Sequence, residues 1–365
     1  MSAPAVPSPP TPRAAVAALP GYVAGRRASS SETAALASNE SHEPPLPEVL
    51  AAIAAQAGRV NRYPDMAAVE LRAALARHVG LEPDRIAVGA GSVSVLQQVI
   101  TAFCDAGDEV VFAWRSFEAY PILAAVAGAR AVRVPLLADE SHDLPGMLAA
   151  ITGRTRVVLL CSPNNPTGVP LSTDQVRSFL AAVPAGVLVV LDEAYVEYTA
   201  DPAGTGSLAL LAEHPNLCLL RTLSKAYGLA GLRVGYAIAG AGVAEALRRT
   251  AVPFGVSGVA QAAAIAALGA RAVVQERAGR VVAERTRLVR AIRDHGWETP
   301  DTTANFIWLR AGDDLLAELM AAFDEADILV RGYAGDGVRI SIADPASNDL
   351  VLAVLAARDR FGAQR

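Results

Sequence analysis

The chain has 365 residues, more than one hydrophobic core ordinarily organises, so two domains, or a large one and a small one, are expected. With 52% apolar and 19% charged residues, extensive disorder is excluded. The net charge is −5 and the lysines and arginines are scattered, which leaves no electrostatic footprint for nucleic acid or an anionic membrane and favours small-molecule ligands.

Residues 1–18 begin with MSAPAVPSPPTPR, rich in proline and alanine and lacking the apolar stretch of a signal peptide, and read as a disordered tail. Residues 19–50, with Pro44, Pro45 and Pro47, read as an extended arm packing on the smaller domain. Over residues 51–254, short β-branched runs alternate with alanine- and leucine-rich stretches of helical length. The predicted strands are RIAVGAG (85–91), DEVVFAW (108–114), RAVRVPL (130–136), TRVVLLCS (155–162), GVLVVLDEA (186–194), NLCLLRTL (216–223) and VGYAIAG (234–240). Seven such runs, apolar on both faces and separated by helices, imply a large doubly wound α/β domain with a mostly parallel sheet.

Residues 255–365 have a different rhythm, that of a smaller α+β domain. Residues 258–296 read as one long helix, followed by the strands NFIWL (305–309), DILVR (327–331) and GVRISIA (337–343). No apolar run reaches the eighteen residues of a membrane helix, so a cytoplasmic protein is expected. Cys104, Cys161 and Cys218 lie far apart in apolar runs and read as free thiols. The five histidines are equally dispersed, and no metal site is expected.

Ligands of an open parallel sheet collect at the carboxyl ends of its strands. Here those ends carry Gly91 and Ser92, then Trp114 to Phe117, Asn164 to Gly168, Asp192 to Tyr195, and Thr222 to Lys225. Each has a plain structural reading: GAGS as a tight turn, NNPTG as a turn, Asp192 as a helix cap, Phe117 and Tyr195 as core. Their occurrence in order, all at strand ends, matches what pyridoxal phosphate requires. Lys225, in an apolar neighbourhood that favours its neutral amine, would form the Schiff base and carry the substrate's α proton. Asp192 would keep the pyridine nitrogen protonated. Asn165 and Tyr195 are candidates for the 3′-oxygen, and Phe117 for stacking on the ring. Gly91, Ser92, Val93, Thr222, Ser224 and Arg233 offer the helix-terminal N–H groups, hydroxyls and guanidinium that a phosphate needs. Gly228 and Gly231 would let the loop bring Arg233 back.

CSPNNPTG (161–168), LDEAYVEY (191–198), RTLSKAYGLAGLRVGY (221–236), NRYPD (61–65), SNE (38–40) and GVRI (337–340) together resemble the fold-type I pyridoxal phosphate aminotransferases, specifically the histidinol-phosphate aminotransferase branch. Within it, VGAGSVSVLQQ (88–98), WRSFEAYP (114–121) and PFGVSGVAQAAAIAAL (253–268) are most similar to actinobacterial aromatic amino acid aminotransferases. Phe117 stands where the general branch has tyrosine, and Val93 and Ser94 where it has an acidic pair; both departures count against a phosphorylated substrate.

The resemblance implies a homodimer with shared sites, in which Tyr63 reaches the cofactor phosphate of the neighbouring subunit. It also implies that Arg339 clamps the substrate's anionic group, with Arg331 and Tyr22 as second candidates and Asn39 and Asn305 lining the same region. Phe117, Trp114, Phe254 and Tyr22 give an aromatic-lined side-chain pocket. The expected activity is amino-group exchange between an aromatic L-amino acid and a 2-oxo acid, 2-oxoglutarate being the expected acceptor. Histidinol-phosphate transamination, alone or as a second activity, and decarboxylation of a threonine phosphate stand as alternatives. A DNA-reading regulator is not expected, because no basic helix-turn-helix segment precedes residue 20.

Overall fold

The computed structural model describes residues 10–19, 33–357 and 361. Its strands are β1 (Ala34–Ala35), β2 (Ile86–Ala90), β3 (Glu109–Trp114), β4 (Arg130–Pro135), β5 (Thr155–Cys161), β6 (Leu188–Asp192), β7 (Leu217–Thr222), β8 (Val234–Ala239), β9 (Phe306–Arg310), β10 (Ile328–Leu329), β11 (Arg331–Tyr333) and β12 (Gly337–Ser341).

Seven of them form one sheet in the order β2-β8-β7-β6-β5-β3-β4. Neighbours pair in parallel except at β8, which runs antiparallel to both β2 and β7. Alternate residues of the strands divide between two cores, as the pleat requires. Val111, Val158, Val189 and Leu219 pack on one face with helices Pro47–Ala57, Val69–Val79 and Thr173–Ala182. Val110, Val157, Val190 and Leu220 pack on the other with Ser92–Phe103 and Ala119–Ala127. Burial on both faces is why these strands are unbroken apolar runs rather than alternating ones. The sheet matches the doubly wound, mostly parallel arrangement expected.

A separate core lies under the antiparallel sheet β11-β12-β9, where Ile307, Leu309, Val338 and Ile340 meet Leu319, Phe323, Leu288 and Ile292 from two helices. The arm joins this core: β1 pairs in parallel with β10, and Leu36 N–H donates to Leu329 O at 2.8 Å. Within the segment expected to be a disordered tail, Ala14–Ala17 form one helical turn, and Arg13 Nη2 donates to Val126 O at 2.7 Å.

Two sequence readings change. The single helix expected over 258–296 is two, Gly258–Gly269 and Arg271–Asp294, inclined by 80°. The break falls at Gly269 and Ala270, where glycine's low helix propensity meets a change of environment. The first helix is apolar and buries Ala260, Ala263, Ala264 and Ala267 in the large-sheet core, although it lies in the region assigned to the smaller domain; the second is amphipathic and arginine-rich. DILVR is likewise two strands, because Ile328 and Leu329 pair with the arm whereas Arg331 turns to pair with Arg339. No single helix among the described residues is long and apolar enough to cross a membrane.

Candidate active site

The carboxyl ends of β2 and β7 and the start of β8 meet at one point, because β8 runs back between them: Ala90 lies opposite Val234, and Thr222 opposite Gly235. Three sources of anion-binding donors converge there. Gly91, with φ of 81°, precedes the helix Ser92–Phe103, whose first N–H groups face the site. Thr222 Oγ1 donates to Ser224 Oγ at 2.9 Å and accepts from Ser224 N–H at 3.1 Å. Arg233, itself at φ of 56°, donates from Nη1 to Ala230 O at 3.0 Å and reaches Ser224 Oγ at 3.4 Å. A Cβ on Gly91 would strike the Arg233 guanidinium, and one on Gly235 would strike the Ser92 nitrogen, so glycine is what lets the three sources close on one anion.

These groups form one end of a cavity of about 340 Å³. Along its floor stand Phe117, Asn165, Asp192, Tyr195 and Lys225. Asp192 ends β6; its Oδ2 accepts from Tyr120 Oη at 2.8 Å and its Oδ1 from Ala194 N–H at 3.3 Å. Burial pushes the Asp192 carboxyl up to about 6, and the Tyr120 hydrogen bond opposes that rise. Lys225 Nζ donates to Ser38 O at 3.0 Å. Burial, and then the nearby charge of Arg339, lower its ammonium to about 8. Tyr195, raised by burial, accepts from Asn39 Nδ2 at 3.0 Å.

Arg339 and Arg331 form the opposite wall from β12 and β11. Arg339 donates from Nη1 to Asn165 Oδ1 at 2.5 Å and from Nη2 to Ala37 O at 2.6 Å, and its buried Nε has no hydrogen-bond partner among the described residues. Asn39, at φ of 54°, is fixed by Ser341 Oγ at 3.0 Å and, through its carbonyl, by Asn305 Nδ2 at 3.2 Å. The donor set fits pyridoxal phosphate. Anion donors, a carboxylate, an amine, an amide and a phenol surround one cavity, and the orphaned Arg339 Nε points to a further anionic group. Lys225, Asp192, Asn165, Tyr195, Thr222, Ser224 and Arg233 would hold the cofactor.

Two aromatic residues expected in the side-chain pocket lie elsewhere. Trp114 does not line the cavity; Arg115 and Arg133 flank its ring, each with Cζ 4.5 Å from the ring centroid. Phe254 is also outside, because it stacks on Tyr63 at 4.5 Å between ring centroids. Tyr63, expected to serve the neighbouring subunit's site, is 83% exposed and does not line this chain's own cavity. Tyr22 lies outside the described residues. Three contributors were missed: Glu118 and Tyr333, which line the cavity, and Tyr120, which holds Asp192. Tyr120 follows Phe117 at helical spacing, and that was the available signal. In the cofactor-free protein, affinity for pyridoxal phosphate should rise with pH as Asp192 ionises near 6. Tyr120→Phe, which removes a bond to the ionised form, should move that rise to higher pH; cofactor titrations across pH 5–8 measure it, and an unmoved midpoint would refute the assignment.

A large mostly parallel sheet with an amine, a carboxylate and an anion cradle at its strand ends defines a cofactor-dependent group-transfer enzyme. Residues 32–355 match the family described as Aminotransferase class I and II, and the chain belongs to that family. It is 49% identical over 344 residues to an aromatic amino acid aminotransferase of Streptomyces avermitilis, covering 94% of this chain and 96% of the relative. It is 51% identical to the enzyme of the same name from Rhodococcus jostii, covering 94% and 95%. Among solved structures, histidinol-phosphate aminotransferase from Sinorhizobium meliloti in complex with pyridoxal-5′-phosphate superposes with a TM-score of 0.84 at 33% identity, covering 94% of this chain and 96% of that one.

Proposed function

We propose that this transaminase moves the amino group of an aromatic L-amino acid to a 2-oxo acid, 2-oxoglutarate in the first instance, with pyridoxal phosphate as cofactor. The observation that carries the reading is the placement of Lys225, Asp192 and the Ser92, Thr222, Ser224 and Arg233 cradle around one cavity, in a chain about half identical to enzymes named for aromatic substrates. When bound, the cofactor supplies an electron sink for the substrate's α carbon.

The chain's own groups do the rest. Lys225 Nζ, lowered to about 8, would be the base that takes the proton from the substrate's α carbon and carries it for return. Asp192 would hold a proton on the pyridine nitrogen by pairing with it. Asn165 and Tyr195 would orient the ring through its 3′-oxygen, and Phe117 would stack on it. Arg339 grips the carboxylate of each substrate in turn. Phe117 and Tyr333 offer apolar walls to an aromatic side chain.

The division into arm, large domain and small domain belongs to the same reading, as does a homodimer. Tyr63, Met66, Val69, Val252 and Phe254 are exposed large apolar side chains, of the kind a partner subunit covers, and Tyr63 would reach the partner's cofactor phosphate. The free thiols Cys104, Cys161 and Cys218 suit a cytoplasmic setting.

The test is a half-reaction panel with phenylalanine, tyrosine, tryptophan and histidinol phosphate, following the visible absorbance of the cofactor. Conversion is expected to be fastest with one of the aromatic acids. Fastest conversion by histidinol phosphate would replace this reading with its phosphorylated alternative.

A further inference from the structure

Arg331 and Arg339 lie directly opposite each other on β11 and β12, and both side chains line the cavity. Like charges at facing positions of an antiparallel pair repel unless one is compensated. The two are treated differently. Among the described residues, Arg339 donates to the neutral acceptors Asn165 Oδ1 and Ala37 O rather than to a carboxylate, so its charge stays available. Arg331 Nη2 is ion-paired at 2.8 Å with Glu118 Oε2, from the loop that also carries Phe117. The pair is largely shielded, with side-chain exposures of 13% for Arg331 and 29% for Glu118, and it spans the cavity mouth from the small sheet to the large one. Glu118 stands at the start of the helix Ala119–Ala127 and, among the described residues, makes no side-chain capping bond there.

We infer that Glu118 is a specificity-determining residue that sets the substrate charge the site accepts. By occupying Arg331, its carboxylate leaves one cation, Arg339, for the substrate. A monoanionic acid with an uncharged aromatic side chain then binds with the ion pair intact. A substrate with a second anionic group, a distal carboxylate or a phosphate monoester, must displace Glu118 from Arg331 and leave a carboxylate beside the incoming anion. A dicarboxylic co-substrate is therefore accommodated by exchange at Arg331. This inference rests on the proposed aromatic reading and adds the residue that enforces it.

The experiment measures dissociation constants of two unreactive acids for the holoenzyme by calorimetry: glutarate, with two carboxylates, and 3-phenylpropanoate, with one. Glu118→Gln keeps the shape and removes the charge, and Glu118→Ala guards against a substitute hydrogen bond. In both variants glutarate should bind about tenfold more tightly, while 3-phenylpropanoate changes by less than about twofold. Adding Arg331→Gln to Glu118→Gln should cancel the gain. Unchanged glutarate affinity in both single variants, or an equal shift for both acids, would overturn the inference. Wild-type enzyme that binds 3-phenylpropanoate no better than acetate would instead sink the aromatic reading, and the two failures are distinguishable.

Discussion

Lys225→Ala is expected to lower turnover by at least about 10⁴-fold and to abolish the visible absorbance of bound cofactor. In the proposed mechanism one amine serves both as the attachment point and as the proton carrier, so its loss would remove two functions together. The environment is tuned for both. A lysine at its ordinary value would be neutral in on the order of one molecule in a thousand at pH 7.5. Lowered to about 8, it is neutral in a sizeable fraction. Because the neutral form attacks, the rate at which cofactor-free protein captures pyridoxal phosphate should climb with pH through about 8 and then level. Lys225→Arg would keep the charge and remain inactive, since guanidinium does not deprotonate in this range. Absorbance spectra and single-turnover assays decide the matter; an unchanged band in Lys225→Ala would refute the lysine's role.

The second large effect concerns Arg339. Arg339→Ala should raise KM for amino acid and 2-oxo acid alike by about 10²–10³-fold, with a smaller fall in kcat. The guanidinium is buried, braced by Asn165 and Ala37, and has an unpartnered Nε, so a carboxylate meets a preorganised fork. Arg339→Lys should recover little, because an ammonium cannot reproduce paired parallel donors. Its charge also helps to lower Lys225, so the alkaline shift of Lys225 in Arg339→Ala is a second readout. Steady-state kinetics with each substrate varied in turn provide the check. If only one substrate suffered, a shared clamp would be wrong.

Most of this architecture was legible because burial on both faces leaves a coarse signature. The central strands of the large sheet are apolar runs, and the ends of β2, β6 and β7 carry chemistry, so locating those ends located Asp192, Lys225 and the anion cradle. What escaped depends on contacts between distant segments. Tyr120 belongs to a helix, and only the fold reveals that its hydroxyl faces Asp192. Glu118 matters through Arg331, far along the chain. Composition alone drew Trp114 and Phe254 into the pocket, whereas guanidinium stacking and the Tyr63 ring claim them. The break at Ala270 was hidden because the alanine-rich stretch before it and the arginine-rich stretch after it both favour helix.

The reversed strand β8 has a consequence for folding order. Because Ile86 pairs with Ile238, the anion cradle does not exist until the edge strand β2 has closed a very long chain loop. Such non-local pairings are slow to form. A ligand that binds only the completed cradle also holds the sheet edge closed by mass action. Cofactor retention is therefore coupled to the most distant pairing in the large sheet.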